Sequence, residues 1–308
     1  MYWQKEKAFA KINLYLDIEK KREDGFHDLF TIMQMVDFYD DVTVTLTHEK
    51  GITFTMQNAP VDVPTEKNLA YIAAKKFYES LDFVPNGGAD IEIYKRIPMA
   101  AGLAGGSADA AAVLRALNYL YGKPFMLEDL CKLGATLGSD VPFNIVGGVQ
   151  LCRGKGENMY RTYGIQHYNL LIAYGGEKLS TADQYRKLDK MYNDFKDYPI
   201  KEKFHQAYIG FETGRCTEAF GGMYNVFESL YENDETFKTI KEIMYRNEAK
   251  VAMLSGSGPA IFGIFPNSFY AEDAQAELKK QGIESYMCNP INKTYEYILP
   301  GEDPSRGI

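Results

Sequence analysis

Between residues 12 and 18 apolar and polar side chains alternate. Ile12, Leu14, Leu16 and Ile18 fall on one face of an extended chain, with Lys11, Asn13, Tyr15 and Asp17 on the other, because successive strand residues point to opposite sides. This predicts a half-buried strand that displays Lys11 and Asn13 together. The segment DVTVTLTHEKGITFTMQ, 41–57, repeats the pattern twice around the polar turn 48–51, with Val42, Val44 and Leu46, then Ile52, Phe54 and Met56. It predicts a hairpin. KNLAYIAAKKFYESL, 67–81, has amphipathic helical spacing, and ADIEIYKRIP, 89–98, reads as a strand stopped by Pro98. Helices are predicted over 107–121, ending at a capping Gly122, and over 127–137, running into GSDVPFNIVGG.

Strands and helices in this order, without regular βαβ alternation, predict an α+β layer fold. From about residue 153 the chain turns rich in turn residues, tyrosine and lysine, as in CRGKGENMYRTYGIQ. A domain boundary is therefore expected there, dividing the chain into 1–152 and 153–308. The length of 308 residues agrees with about two domains. No repeat or low-complexity tract interrupts it.

The stretch IPMAAGLAGGSADAAAVLRALNYLYG, 97–122, sets three glycines and several alanines directly before a helix-forming run. Glycines let backbone amides approach a ligand, and the helix that follows adds unpaired N–H groups and the positive end of its dipole. Such a junction holds anions, phosphate above all. It also occurs as a mere tight connection, and the loop alone does not choose between the two. No Lys-Ser/Thr follows, which excludes the common NTPase loop, and the glycine spacing does not fit a dinucleotide fingerprint. The protein-kinase H-R-D and D-F-G signatures are missing as well.

Charge narrows the ligand. With 34 basic against 42 acidic residues the formal net charge is -8, so bulk attraction to nucleic acid or an anionic membrane is disfavoured and any anion must be held locally. Cys131, Cys152, Cys216 and Cys288 form no C-x-x-C pair; they read as separate small hydrophobes in a reducing, cytoplasmic setting rather than as a zinc or redox site. The first residues, MYWQKEKAFAKINLYL, carry charge and no long apolar run, so neither a signal peptide nor a membrane span is expected.

The loop PMAAGLAGGSADAA resembles that of the GHMP small-molecule kinases. Three more stretches, AKINLYLDIEKKREDGFHDL at 10–29, LGSDVPFNIVGG at 137–148 and LSGSGPAIFGIF at 254–265, follow in that family's order and spacing. They point to the branch whose acceptor is a diphosphocytidyl methylerythritol. The sequence departs from the family at Ala104 and Ala108, commonly glycine and serine, and in GFH for G-Y-H. Alanine still permits close approach and Phe26 can still stack, while a hydroxyl lost at position 108 is one phosphate or metal contact fewer.

The resemblance implies an N-terminal ribosomal-protein-S5-like domain, a C-terminal ferredoxin-like domain, and an ATP- and Mg²⁺-dependent transfer to an alcohol. It implies that Asp140 is the catalytic aspartate and that Lys11 pairs with it to favour the developing alkoxide. ATP would be held by Asn68 near the adenine, by Lys95, and by the loop residues Pro98, Met99, Ala100, Ala101, Gly102, Leu103, Ala104, Gly105, Gly106 and Ser107. Phe26 and His27 resemble a cytosine-reading motif, with Tyr185 closing the stack from the other face. Gly256 and Ser257, in a second glycine-rich turn, and Asn13 would complete the acceptor site. Ser107 is the candidate for a phosphate or Mg²⁺ contact, with Asp109 behind it through water.

Plainer roles compete. Asp140 could be a turn or cap residue, Ser107 an N-cap, Asp109 a complement to the helix dipole, Lys11 and Lys95 exposed lysines, and 255–259 a simple hairpin turn. His48, His167 and His205 have no supporting neighbours and read as surface residues. A homoserine- or mevalonate-type kinase and a non-catalytic sensor on the same fold are the rival functions. A pocket without a cytosine would not need Phe26, His27 and Tyr185, and a sensor would need neither Lys11 nor Asp140. A monomer or weak homodimer is expected.

Overall fold

The computed structural model describes residues 2–61, 63–176, 180–195 and 202–295. Its spine is a pair of long antiparallel strands, β1 (Trp3–Lys21) and β2 (His27–Thr47). There follow β3 (Ile52–Gln57), helix α1 (Leu69–Glu79), β4 (Gly88–Tyr94), and the helices α2 (Gly105–Leu120), α3 (Leu127–Ala135) and α4 (Val141–Val146). Next come β5 (Val149–Gly154), β6 (Asn158–Arg161), β7 (Asn169–Tyr174), α5 (Thr181–Met191), α6 (Glu202–Glu212), α7 (Cys216–Ala219) and β8 (Tyr224–Asn225). The chain closes with α8 (Glu235–Arg246), β9 (Val251–Leu254), β10 (Ala260–Phe265), α9 (Ser268–Lys280), β11 (Glu284–Cys288) and β12 (Pro290–Ile291).

Two sheets result. The first runs β3-β4-β2-β1-β8, and β2 is long enough to pair with β4 along one half and with β5 and β12 along the other. The second is the antiparallel order β11-β7-β10-β9. Strands β6, β8 and β12, all from beyond residue 152, belong to the first sheet.

Two strand expectations are corrected. The segment 41–57 is not a hairpin, because β4 inserts between β2 and β3, antiparallel to one and parallel to the other. Alternation identified both strands but carries no information on which neighbour each pairs with. Nor is β1 half-buried. Lys11, Asn13 and Tyr15 are 3%, 2% and 1% exposed, since Ile12 and Leu14 share a core with Leu170, Ile172 and Phe262 of the second sheet while the polar face is covered by loops.

Small side chains let the helices pack closely on the first sheet. Ala70, Ala73 and Ala74 of α1 and Ala108, Ala110, Ala111, Ala112 and Ala116 of α2 are all buried, in one cluster with Val42, Val44 and Ile91. The predicted helices recur as α1, α2 and α3, with α2 beginning two residues earlier than its pattern. Helix α4, six residues long with proline in its first turn, lies within GSDVPFNIVGG, for which no helix is expected from the sequence pattern. His48, His167 and His205 are exposed, as expected. All four cysteines are free.

Candidate active site

One large cavity, about 930 Å³, brings together Lys11 and Asn13 of β1, the loop and first turn of α2, Asp140, the 256–257 turn, and Phe26, His27 and Tyr185. These residues come from six separated stretches of sequence.

The phosphate-cradle expectation rests on the start of α2. Its N-cap is Ala104, held at φ 58°, and no side chain caps the helix. The residue that read as a cap, Ser107, is in the third helical position, and its hydroxyl lines the cavity without a bonding partner among the described residues. The amides of Gly105, Gly106 and Ser107 therefore have neither helical nor side-chain acceptors, the arrangement that receives an anion. Ala100 also has positive φ, at 56°, and Gly102 lies between the two alanines at 86°.

The second glycine-rich turn packs directly against this loop. A Cβ on Gly102 would meet the Ser255 carbonyl oxygen at 2.2 Å, and one on Gly256 would meet the Gly102 carbonyl oxygen at 2.8 Å and Lys11 Nζ at 3.2 Å. Only glycine fits at either crossing. The backbone N–H of Ala260 donates to the Ala101 carbonyl at 3.0 Å, and the Lys11 N–H donates to the Leu103 carbonyl at 3.1 Å. Turn 255–259 does connect two antiparallel strands, β9 and β10, so it is a hairpin turn and a wall of the cavity at once.

At the centre Lys11 Nζ lies 3.9 Å from Asp140 Oδ2 and donates to Asn13 Oδ1 at 2.7 Å. Asn13 is fixed in turn: its amide donates to Thr31 Oγ1 at 2.8 Å, and its oxygen also accepts from the Gly256 N–H at 2.8 Å. Burial lowers the Lys11 pKa below that of a free lysine, and the Asp140 carboxylate opposes the shift. The Asp140 side chain does not cap α4, so the cap role is excluded and its carboxylate faces the cavity. Burial, and next the nearby Asp140, raise the Cys152 thiol pKa, leaving that group protonated and inert.

Lys95 is not the exposed lysine of the alternative reading. It is 4% exposed and donates to Asp40 and, at 2.7 Å, to Asp109, with Nζ 3.4 Å from where a Gly105 Cβ would be. Asp40 also accepts the backbone N–H groups of Arg96 and Ile97. Burial pushes Asp109 up to about 7 against the pull of Lys95, and its Oδ1 has no partner. Asp109 is thus committed beneath the helix, not turned toward a water-bridged metal. Asn68 caps α1, its Oδ1 accepting from the Ala70 N–H at 2.9 Å, while the adjoining Leu69 lines the cavity. Leu103 is core at 1% exposure, and Pro98 and Met99 lead into the loop from outside the cavity wall.

At the other end Tyr185 lies face to face with His27, ring centroids 4.6 Å apart, and meets Phe227 edge-on. Burial and, next, the Asp140 charge raise the Tyr185 pKa, which links the two ends of the cavity electrostatically. His27 Nε2 is 2.7 Å from Asp189, whose other oxygen pairs with Lys21 at 2.9 Å. Phe26 is 57% exposed, with the Lys155 ammonium over its ring. Asp189, Thr31, Phe227 and Lys155 carried no motif of their own; only the second aromatic four residues before Asp189 on α5 hinted at that wall.

The chain matches the family models of the GHMP kinases N terminal domain over residues 68–148 and GHMP kinases C terminal over 213–284. A protein of Caldicellulosiruptor saccharolyticus named 4-diphosphocytidyl-2-C-methyl-D-erythritol kinase is 41% identical over 276 residues, 89% of this chain and 92% of its own length. One of the same name from Clostridium novyi is 37% identical over 92% of this chain and 99% of its own. Among solved structures, a 4-(cytidine 5'-diphospho)-2C-methyl-D-erythritol kinase superposes with a TM-score of 0.77 at 28% identity, covering 93% of this chain and 99% of the other. A homoserine kinase from Cytophaga hutchinsonii, 19% identical with a TM-score of 0.68 over 95% of this chain and 98% of its own, shares the fold.

Proposed function

The chain belongs to the GHMP kinase family, among its 4-diphosphocytidyl-2-C-methyl-D-erythritol kinases, and from that premise we propose how its residues divide the work. The reaction transfers the γ-phosphate of ATP to the 2-hydroxyl of 4-diphosphocytidyl-2-C-methyl-D-erythritol, giving the 2-phosphate and ADP, a step of the methylerythritol phosphate route to isoprenoids. The observation that carries the mechanism is the meeting of Lys11 and Asp140 at 3.9 Å in the same cavity as an uncapped helix start.

The free amides of Gly105, Gly106 and Ser107, with Ala100, Ala101, Gly102 and Ala104 of the loop around them, hold the ATP phosphates; Leu69, next to the capping Asn68, faces the adenine side. Lys95, neutralised by Asp40 and Asp109, braces the helix start from below and does not itself line the cavity. The acceptor oxygen attacks the γ-phosphorus as the bond to the bridging oxygen of ADP breaks. Its proton passes to Asp140, late in a loose transition state. Lys11, aimed by Asn13 and Gly256, stabilises the oxygen as charge develops on it. Phe26, His27 and Tyr185 hold the cytosine, and Ser257 closes the acceptor side.

Magnesium fits this donor set in one way. No group of three His, Cys, Asp or Glu among the described residues could cage a metal, and Asp109 is engaged with Lys95; the unpartnered Ser107 hydroxyl remains, suited to an ion carried on the nucleotide phosphates. Such an ion neutralises charge on the β- and γ-phosphates. No helix among the described residues is long and apolar enough to cross a membrane; with four free cysteines this supports a cytoplasmic setting. The second sheet and Tyr185 come from after residue 152, which supports an acceptor-binding part in the second half, but the division at 152/153 cuts strand β5, Phe26 and His27 come from the first part, and β6, β8 and β12 join the first sheet.

The test is ADP release with ATP and Mg²⁺, offering the diphosphocytidyl alcohol, homoserine and mevalonate in parallel. Turnover confined to the first is expected; turnover on another acceptor would retire the cytosine pocket.

A further inference from the structure

The diphosphate of the acceptor joins the base to the reacting alcohol, so it must lie between the aromatic end of the cavity and the Lys11–Asp140 pair. Among the described residues three side-chain cations other than histidine line that cavity: Lys11, Lys155 and Arg186. Lys11 is held by Asn13 and Asp140 at the transfer end. Arg186 is paired with Asp183 and is 71% exposed.

Lys155 is differently placed. It sits in the turn between β5 and β6, flanked by Gly154 at φ 72° and Gly156 at φ 111°. The turn touches the transfer side, since a Cβ on Gly156 would come within 3.4 Å of the Ser139 carbonyl oxygen. The side chain reaches toward the base side, with Nζ 3.9 Å from the Phe26 ring centroid and 2.9 Å from Asp24 Oδ2. The turn and the Lys155 side chain together thus reach from one end to the other.

We propose that Lys155 is the cation that receives the acceptor's diphosphate. The inference rests on the acceptor assigned above. Its present partner can release it, because Arg22 Nε also bonds both carboxylate oxygens of Asp24 at 3.3 Å and an exposed pair of this kind contributes little. An ammonium on a flexible stem suits a two-phosphate target that must be found after the base has docked. Lys155 thereby separates substrate holding from chemistry: Lys11 is left to the developing alkoxide.

The experiment measures binding of cytidine, CMP and CDP to the wild type, Lys155→Gln and Lys155→Arg by ligand-detected NMR titration, beside KM and kcat with the diphosphocytidyl alcohol. Lys155→Gln should weaken CDP about tenfold, leave cytidine within about twofold, raise the acceptor KM by a similar factor and spare kcat and the KM for ATP. Lys155→Arg should restore most of the CDP affinity. Equal weakening of cytidine and CDP would overturn the proposal in favour of a packing role on Phe26, and unchanged CDP binding would overturn it outright. Wild-type protein that fails to turn over the diphosphocytidyl alcohol would refute the acceptor assignment instead, while the CDP-to-cytidine difference still decides for or against Lys155.

Discussion

Gly256→Ala probes the contact on which the site's assembly depends. The residue has φ +55°, where an L side chain costs about 1–2 kcal/mol. Its new Cβ would lie 2.8 Å from the Gly102 carbonyl oxygen and 3.2 Å from Lys11 Nζ. The first neighbour is backbone, so the two glycine-rich turns must part, an overpacking penalty of roughly 1–3 kcal/mol. The sum, roughly 2–5 kcal/mol, corresponds to a fall in Tm of about 3–8 °C for a chain of this size. The same displacement moves Lys11 and loosens the Gly256 N–H bond to Asn13. Misplacement of a fraction of an ångström to one ångström should lower kcat roughly 10- to 100-fold. Gly122→Ala is the control: φ is +77° but nothing lies within 4 Å of the added Cβ, so it should lose the conformational part alone and keep its kcat. Thermal denaturation and steady-state ADP release on both variants read the difference. A Gly256→Ala enzyme no less stable than Gly122→Ala, with kcat within about threefold of wild type, would refute the reasoning.

Ala104 occupies the left-handed region at φ 58°, so Ala104→Gly should raise unfolding free energy by about 1 kcal/mol in urea titration without lowering kcat; a loss of stability would contradict the strain. Asp40 is 0% exposed and holds Lys95 and two backbone amides, so Asp40→Ala should cost roughly 3–5 kcal/mol, and a change under about 1 kcal/mol by the same titration would speak against the buttress. Burial sets the Lys11 pKa below 10.5, with Asp140 opposing. The rate with acceptor should therefore fall as pH rises through that lowered pKa, and a profile flat to pH 10.5 would be inconsistent with it. The stability sign is opposite: between the two pKa values the unfolded chain binds more protons than the folded one, so this group's contribution to stability rises with pH.

The parts of the site built from backbone were legible in sequence, because glycine spacing before a helix has few other uses; the loop at 102–107 and the turn at 255–259 do lie against each other. What stayed hidden depends on non-local partners. Alternation marked β2 and β3 as strands but could not show β4 entering between them. Lys11 and Asn13 read as a solvent face because the covering loops come from around residues 103 and 256. Lys95 looked free since its two carboxylates, Asp40 and Asp109, arrive from another strand and from the next helix. The cap role that competed for Ser107 fails because the left-handed residue at 104 already starts the helix. The resemblance named Phe26, His27 and Tyr185, yet the ring that stacks on Tyr185 is that of His27, held by Asp189, which no motif marks.

The most direct test of the central claim is turnover by Asp140→Asn set beside its nucleotide affinity. Among the described residues nothing but Lys11 holds the Asp140 carboxylate, at 3.9 Å, so the substitution should leave the fold and the ATP Kd within about threefold while kcat falls by about a thousandfold or more. Near-normal kcat, or a kcat loss matched by an equal loss of ATP binding, would contradict a proton-accepting role for Asp140 beside Lys11.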